Sequence, residues 1–223
     1  MQKHAIIVAG GTGTRMKGEV PKQFMLLNGK PVIQYSLDAF YAYEASIHII
    51  VVVHPEYTSY WKVLCREYQI SVPHIVVNGG ENRFDSVKNG LARIQKDGLV
   101  AVHDAARPLI NADFIKHLFL TAENFGSSMP GIPLNDTIRK IEGDTSSQLD
   151  RNFLRAMQTP QVYMVSELKR AYTQPFRLLY TDEASVMQSA GFPVYLTEGR
   201  PWNIKITNPE DLELAEVLMK RNR

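Results

Sequence analysis

The sequence contains one cysteine, Cys65, in 223 residues. A single thiol cannot close an internal disulfide or build a zinc cluster, so nothing here calls for an oxidising compartment. Cys65 sits in the helix-like run Tyr60-Trp61-Lys62-Val63-Leu64-Cys65-Arg66-Glu67. There a small buried hydrophobe is the ordinary role of a free cysteine, and a catalytic nucleophile the rarer one. Long hydrophobic runs are also lacking. Ala5 to Ala9 is too short for a signal-peptide core, and Ile49 to Val53 falls far short of a membrane span. The expectation is a cytoplasmic protein with no membrane partner. Charge of one sign is missing as well: 25 basic against 23 acidic side chains leave a formal +2. That balance argues against nucleic acid as a partner, and Trp61 and Trp202 are too dispersed for a base-stacking platform. His4, His48, His54, His74, His103 and His117 show no close pair with metal-ligand spacing.

What is present is a chain that is 44% hydrophobic, enough for a full core. Short β-branched runs alternate with helical patterns. Strands are expected at Ala5–Val8, Ile47–Val53, His74–Val77 and Leu99–Val102, and helices at Pro31–Ala42, near Glu56–Tyr68 and at Phe84–Gln95. Near-continuous apolar strands separated by helices predict a parallel sheet covered on both faces. The stretch Leu134–Met157 reads differently. Thr137–Ile141, a turn at Glu142-Gly143-Asp144 and a return over Gln148–Phe153 predict a β-hairpin arm. An isolated hairpin buries little on itself, so packing on a second subunit is expected. Beyond it come a helix over Thr181–Ala190, a strand over Pro193–Leu196, and a closing helix with Asn208 as cap and Pro209 in its first turn. No repeat or interdomain linker divides 1–223, so one domain with an inserted arm at about 134–157 is expected.

The first strand runs directly into Ala9-Gly10-Gly11-Thr12-Gly13-Thr14-Arg15-Met16. Glycines let a backbone approach a ligand closely and turn its N–H groups inward, which suits a polyphosphate. A Walker loop is excluded because Gly18 is followed by Glu19 rather than Lys-Ser/Thr. A dinucleotide loop is weakened because Met16 stands where a third glycine belongs, and Val53 is followed by His54-Pro55 instead of a ribose-binding acid. An oxidoreductase and a non-catalytic nucleotide-binding module remain as rival classes. Arg15 and Lys22 place two cations after the loop, and phosphoryl transfer depends mainly on positioning and charge neutralisation. Asp104 follows the Leu99–Val102 strand at its carboxyl end, where open α/β sheets bind ligands. A carboxylate there can hold Mg²⁺ or another divalent cation, directly or through water; its plainer alternatives are an N-cap or a partner for Arg107.

Seven segments, in order along nearly the whole chain, resemble the sugar-nucleotide pyrophosphorylase-like cytidylyltransferases. They are the glycine loop with Pro21-Lys22-Gln23, Gly79-Gly80-Glu81-Asn82-Arg83-Phe84-Asp85-Ser86-Val87, His103-Asp104-Ala105-Ala106-Arg107-Pro108, Asp150-Arg151-Asn152, Thr159-Pro160-Gln161, Thr181-Asp182-Glu183-Ala184-Ser185 and Asn203-Ile204-Lys205-Ile206-Thr207. The resemblance implies an α/β, three-layer, mostly parallel Rossmann-like sheet of the nucleotide-diphospho-sugar transferase type, with the arm projecting. It also implies transfer from CTP to a polyol phosphate: methylerythritol 4-phosphate in isoprenoid synthesis, with ribitol 5-phosphate as the alternative.

The same resemblance implies residue roles. Backbone at Ala9, Gly10, Gly11, Gly13, Gly80 and Glu81, with the Ser86 hydroxyl, would read the nucleotide; Ser86 could equally be a helix-start hydroxyl. Ala105 would lie against the ribose and Arg107 would orient Asp104. Arg15 and Lys22 would neutralise the β/γ-phosphates. Arg151 and Lys205 would grip the second substrate's phosphate, with hydroxyl contacts from Thr137, Thr159 and Thr181. Arg151 lies in the arm, from which a homodimer could supply it to the partner's site.

Overall fold

The structure is a computed structural model that describes residues 1–11 and 20–221. Gly13 and Arg15 therefore lie outside the described residues. In chain order the elements are β1 (Lys3–Ala9), β2 (Leu26–Leu27), β3 (Lys30–Pro31), α1 (Val32–Tyr43), β4 (His48–Val53), α2 (Thr58–Glu67), β5 (Ile75–Asn78), α3 (Arg83–Leu91) and β6 (Leu99–Asp104). There follow α4 (Ala112–Phe125), β7 (Ser127–Pro133), β8 (Ile138–Glu142), β9 (Thr145–Leu149), β10 (Arg155–Met157), β11 (Gln161–Met164), α5 (Val165–Ala171), α6 (Glu183–Ser189), β12 (Leu196–Glu198) and α7 (Glu210–Arg221).

The parallel heart of the sheet runs β5-β4-β1-β6, and β11, β7 and β10 extend it antiparallel, with β12 added in parallel to β7. Alternation along β4 explains the unbroken apolar run of its sequence. Ile49, Val51 and Val53 enter one core with Phe40, Trp61, Leu118 and Phe119 from α1, α2 and α4. Ile50 and Val52 enter a second core with Phe84, Val87, Leu91, Leu168 and Met187 from α3, α5 and α6. Both strand faces are dry, so a wet polar face never appears. The sheet is thus the middle of three layers, as the sequence predicts.

Several boundaries differ from expectation. The Phe84–Gln95 helix stops at Leu91: Ala92 N–H closes the last α-turn on the Lys88 carbonyl, and Arg93 and Ile94 then close tighter turns onto the Gly90 and Leu91 carbonyls. The last strand starts at Leu196, because Tyr195 is held by Ser127 Oγ and by Met129 N–H. At α7 it is the Asp211 carboxylate that accepts from the N–H groups of Thr207 and Asn208. Strand β7, Ser127-Ser128-Met129-Pro130-Gly131-Ile132-Pro133, carries no strand signal in its sequence, and its neighbours β10, β11 and β12 make it one.

The hairpin is present as β8–β9, paired only with itself, and its return begins at Thr145 rather than Gln148. Every β9 residue is exposed, and Ile141 (70%) and Phe153 (87%) carry apolar surface into solvent. No described helix is long and apolar enough to cross a membrane. Cys65 is half-buried against the first core, and burial pushes its thiol up to about 11, so it stays protonated at neutral pH and reads as packing.

Helix α3 approaches the sheet through Gly90, where a Cβ would stand 2.9 Å from Ile6 Cγ2 and 3.2 Å from Val52 Cγ2. That contact sets how the opposite end of α3 is presented. Gly90→Val should destabilise the fold by roughly 1–3 kcal/mol through overpacking, despite glycine's poor helix propensity. Urea unfolding measures it, and an unchanged midpoint would mean that α3 can shift freely.

Candidate active site

The carboxyl ends of β1 and β6 open onto a cleft of about 420 Å³. Its walls come from three places: Ala9-Gly10-Gly11 after β1, Gly80 to Ser86 at the start of α3, and Asp104 with Lys205. Lys22, Gln23, His54, Ala106 and Thr207 complete it.

The glycines here are required by contact. A Cβ on Gly10 or Gly79 would stand 3.1 or 3.0 Å from Ser86 Oγ, and one on Gly80 would collide with Asp85 Cβ at 2.3 Å. Three glycines therefore pack directly on the first turn of α3. That turn is pinned by Asn82, whose side-chain oxygen caps the Asp85 N–H at 2.9 Å. Ser86 Oγ accepts from Gly80 N–H at 3.1 Å and donates to Asn82 carbonyl at 2.9 Å. Ser86 is thus a helix-start hydroxyl that also lines the cleft. Gln23, 3% exposed, donates to the Ala9 and Gly11 carbonyls at 2.7 and 2.8 Å.

Asp104 is the electrostatic centre. Arg83 Nε donates to its Oδ1 at 3.1 Å and Lys205 Nζ to its Oδ2 at 2.7 Å. Behind Arg83, the wholly buried Glu183 accepts both terminal guanidinium nitrogens at 2.6 and 3.0 Å, and the Tyr172 hydroxyl at 3.0 Å. Burial alone would raise the Asp104 carboxyl, but Arg83 and Lys205 outweigh it and hold it far below the usual carboxylate range. The same pairing runs the other way for Arg83: burial opposes its charge, and Glu183 and Asp104 overcome that and raise it. The backbone is fixed too. Asp104 N–H donates to Thr159 Oγ1 at 3.0 Å, and Thr159 Oγ1 lies 3.1 Å from His103 Nδ1. Burial pushes His103 down to about 3, so it is neutral, and the network closes when Nδ1 accepts and Nε2–H donates to the Arg107 carbonyl.

A glycine-walled cleft with two cations on one buried carboxylate is suited to anionic ligands of several classes. Comparison with known proteins decides which. The family model of 2-C-methyl-D-erythritol 4-phosphate cytidylyltransferase matches residues 3–221. The chain belongs to that family. Proteins of that name from Phocaeicola vulgatus and Porphyromonas gingivalis are similar at 44% and 42% identity, each over 98% of this chain and 100% and 98% of their own lengths. Among solved structures, the cytidylyltransferase of Francisella tularensis superposes with TM-score 0.80 at 29% identity, covering 98% of this chain and all of that one. The Thermus thermophilus enzyme gives 0.77 at 27%, covering 99% and 100%. The chain is accordingly a nucleotidyltransferase of the cytidylyltransferase type.

Within this cytidylyltransferase fold the expected site residues separate. Ala9, Gly10, Gly11, Lys22, Gly80, Glu81, Ser86, Asp104 and Lys205 all line the one cleft. Thr137 and Arg151 do not; they line a separate hollow at the base of the arm, where Arg151 bonds the Asn135 carbonyl. Thr181 is exposed just before α6. Three expected residues have their described contacts elsewhere than at the cleft surface. Thr159 is 4% exposed and its hydroxyl is committed to Asp104 N–H and His103, so it supports the acid from behind. Ala105 is 1% exposed in the first core with its N–H on Val8 carbonyl, and Ala106 takes its place on the cleft wall. Arg107 places its guanidinium on the Asn203 and Met157 carbonyls, tying two loops together; Arg83 and Lys205 orient Asp104. Arg83 and Glu183 lay in the quoted motifs with no role assigned, because their partners lie 21 and 100 residues from Arg83.

These pairs differ in what their loss costs. Arg83→Ala leaves Glu183 buried and unpaired, so stability should fall by roughly 3–5 kcal/mol. Lys205→Met removes a half-exposed cation and should move it by about 1 kcal/mol or less. Chemical denaturation of both variants checks the contrast, and equal losses would refute the assigned burial roles.

Proposed function

We propose that this chain transfers the cytidylyl group of CTP to 2-C-methyl-D-erythritol 4-phosphate, giving 4-diphosphocytidyl-2-C-methyl-D-erythritol and pyrophosphate. The observation that carries the site assignment is the Asp104 carboxylate, held between Arg83 and Lys205 at the mouth of a glycine-walled cleft. The base lies against Ala9, Gly10, Gly80 and Ser86, where donors and acceptors of the backbone and one hydroxyl meet its edge. Lys22, with Arg15 from the same loop region, neutralises the β- and γ-phosphates. Lys205 aligns the incoming phosphate.

The substrate phosphate is already an anion, so no general base is needed. One of its oxygens attacks the α-phosphorus in line, a P–O bond forms, the bond to the β-phosphate oxygen breaks, and pyrophosphate leaves with the electron pair. Among the described residues no cluster of three or more His, Cys, Asp or Glu side chains can hold a metal ion. The cleft offers one buried carboxylate, Asp104, and the exposed Glu81. That donor set fits Mg²⁺ carried on the triphosphate, which keeps waters and takes one or two carboxylates, and Asp104 would hold it. When bound, such a cation supplies further charge neutralisation at the phosphates.

The arm is read as the dimerisation element. Its exposed apolar residues need cover, and Thr137 and Arg151 at its base form a polar hollow away from this chain's own cleft. We place them in the site of a second copy, gripping the polyol phosphate there, with Thr181 contributing a hydroxyl from the exposed turn before α6. Nothing favours ribitol 5-phosphate over methylerythritol 4-phosphate.

Pyrophosphate release from CTP, measured with the two polyol phosphates in parallel, tests the substrate assignment; preference for ribitol 5-phosphate would overturn it. In the same assay Lys22→Ala should lower kcat/KM by about 10²–10³ while stability stays within roughly 0.5 kcal/mol. Normal turnover would remove Lys22 from the mechanism. For the arm, Lys22→Ala and Arg151→Ala proteins, each nearly inactive alone, are unfolded together and refolded as a mixture. Delivery across the dimer should restore about a quarter of wild-type activity, since half the dimers are mixed and each mixed dimer has one intact site. Delivery within one chain restores none.

A further inference from the structure

We propose that Gln23 is a positioning residue for the nucleotide, holding the entry of the glycine loop in the conformation that CTP binds. This inference rests on the cytidylyltransferase reading above. The side-chain nitrogen of Gln23 donates one hydrogen to the Ala9 carbonyl at 2.7 Å and the other to the Gly11 carbonyl at 2.8 Å. Two carbonyls from alternate residues converging on one nitrogen mean that the segment is extended there. In an extended segment polar groups alternate sides, so Gly10 turns its own N–H and C=O away from Gln23. Gly10 meets Ser86 in a different direction, through its α-carbon: a Cβ there would stand 3.1 Å from Ser86 Oγ. The loop entry is thus fixed twice, by an amide on its hydrogen-bonding edge and by packing on the start of α3.

Gln23 is itself held rigidly. It sits in a short 3₁₀ turn, Lys22–Phe24, whose Phe24 is 1% exposed and stacks on Trp61 with ring centroids 6.0 Å apart. Lys22 precedes it in the same turn and lines the cleft. The Gln23 side chain therefore links the glycine loop to the turn that carries the cation expected at the phosphates. A carboxylate at this position cannot donate and would face two carbonyl dipoles, and an apolar chain would remove the donor from the buried Ala9 carbonyl and free the exposed Gly11 carbonyl to turn away.

The test is steady-state kinetics of pyrophosphate release, with CTP and 2-C-methyl-D-erythritol 4-phosphate varied in turn. Gln23→Met keeps the length and removes both donors; it should raise KM for CTP about tenfold, as expected for one to two lost hydrogen bonds, and leave KM for the polyol phosphate within about twofold. Gln23→Asn keeps the amide with a shorter reach and should show the same selective rise at smaller size. The stabilisation of the unfolding midpoint by CTP should shrink in the same order. A residue that serves only the fold would lower the active fraction, so kcat would fall with both KM values unchanged, and that outcome overturns the proposal. If the wild-type protein itself releases no pyrophosphate from CTP, it is the functional reading that has failed.

Discussion

The site depends on keeping one carboxylate charged in a nearly dry place. Asp104 ends a strand that is buried along its whole length, and an isolated anion there would take a proton or return to solvent. Arg83 and Lys205 prevent this by occupying one oxygen each. Arg83 is in turn too buried to stand alone, and Glu183 with Tyr172 balances it. The result is a chain of alternating charges that runs from the core to the cleft mouth. Its last cation, Lys205, is its most exposed member. A ligand anion can engage Lys205 without disturbing the buried pairs behind it.

The glycines serve that arrangement by letting three segments meet. At Gly10, Gly79 and Gly80 the limiting factor is the space beside Ser86 and Asp85. The cleft wall is therefore backbone packed on the first turn of a helix, with amide groups near the surface. Gly90, at the far end of the same helix, keeps α3 close to Ile6 and Val52 and so holds Arg83 and Ser86 at a defined height over the sheet. Core packing and site geometry are one constraint at this helix.

Legibility varied along the chain for physical reasons. Strands β1, β4, β5 and β6 are visible because burial on both faces leaves an unbroken apolar run, and the helices between them carry helical spacing. The arm is visible because a turn flanked by two polar strands has few other readings. Strand β7 is invisible: with Pro130 and Gly131 inside it, only the neighbours it pairs with make it a strand. The start of the glycine loop, Lys22 and Asp104 are marked by residue type and place, and Ser86 and Lys205 by the family pattern; the structure brings them to one cleft. The burial of Thr159 and Ala105, and the diversion of Arg107 to two carbonyls, are not, because neighbouring residues in one motif face different ways.

What the sequence determined by itself is the layer order, the arm, and a set of phosphate-seeking residues with a family pattern running almost end to end. These are local or periodic properties, written in runs of a few residues. What the tertiary structure alone decided is which of those residues share a cleft and which partner each charge has. Arg83 finds Asp104 and Glu183, Gln23 finds Ala9 and Gly11, and Thr137 and Arg151 stay away on the arm. Such pairings depend on distances across the fold between side chains far apart in the chain, and a buried charge leaves no mark of its partner in the residues beside it.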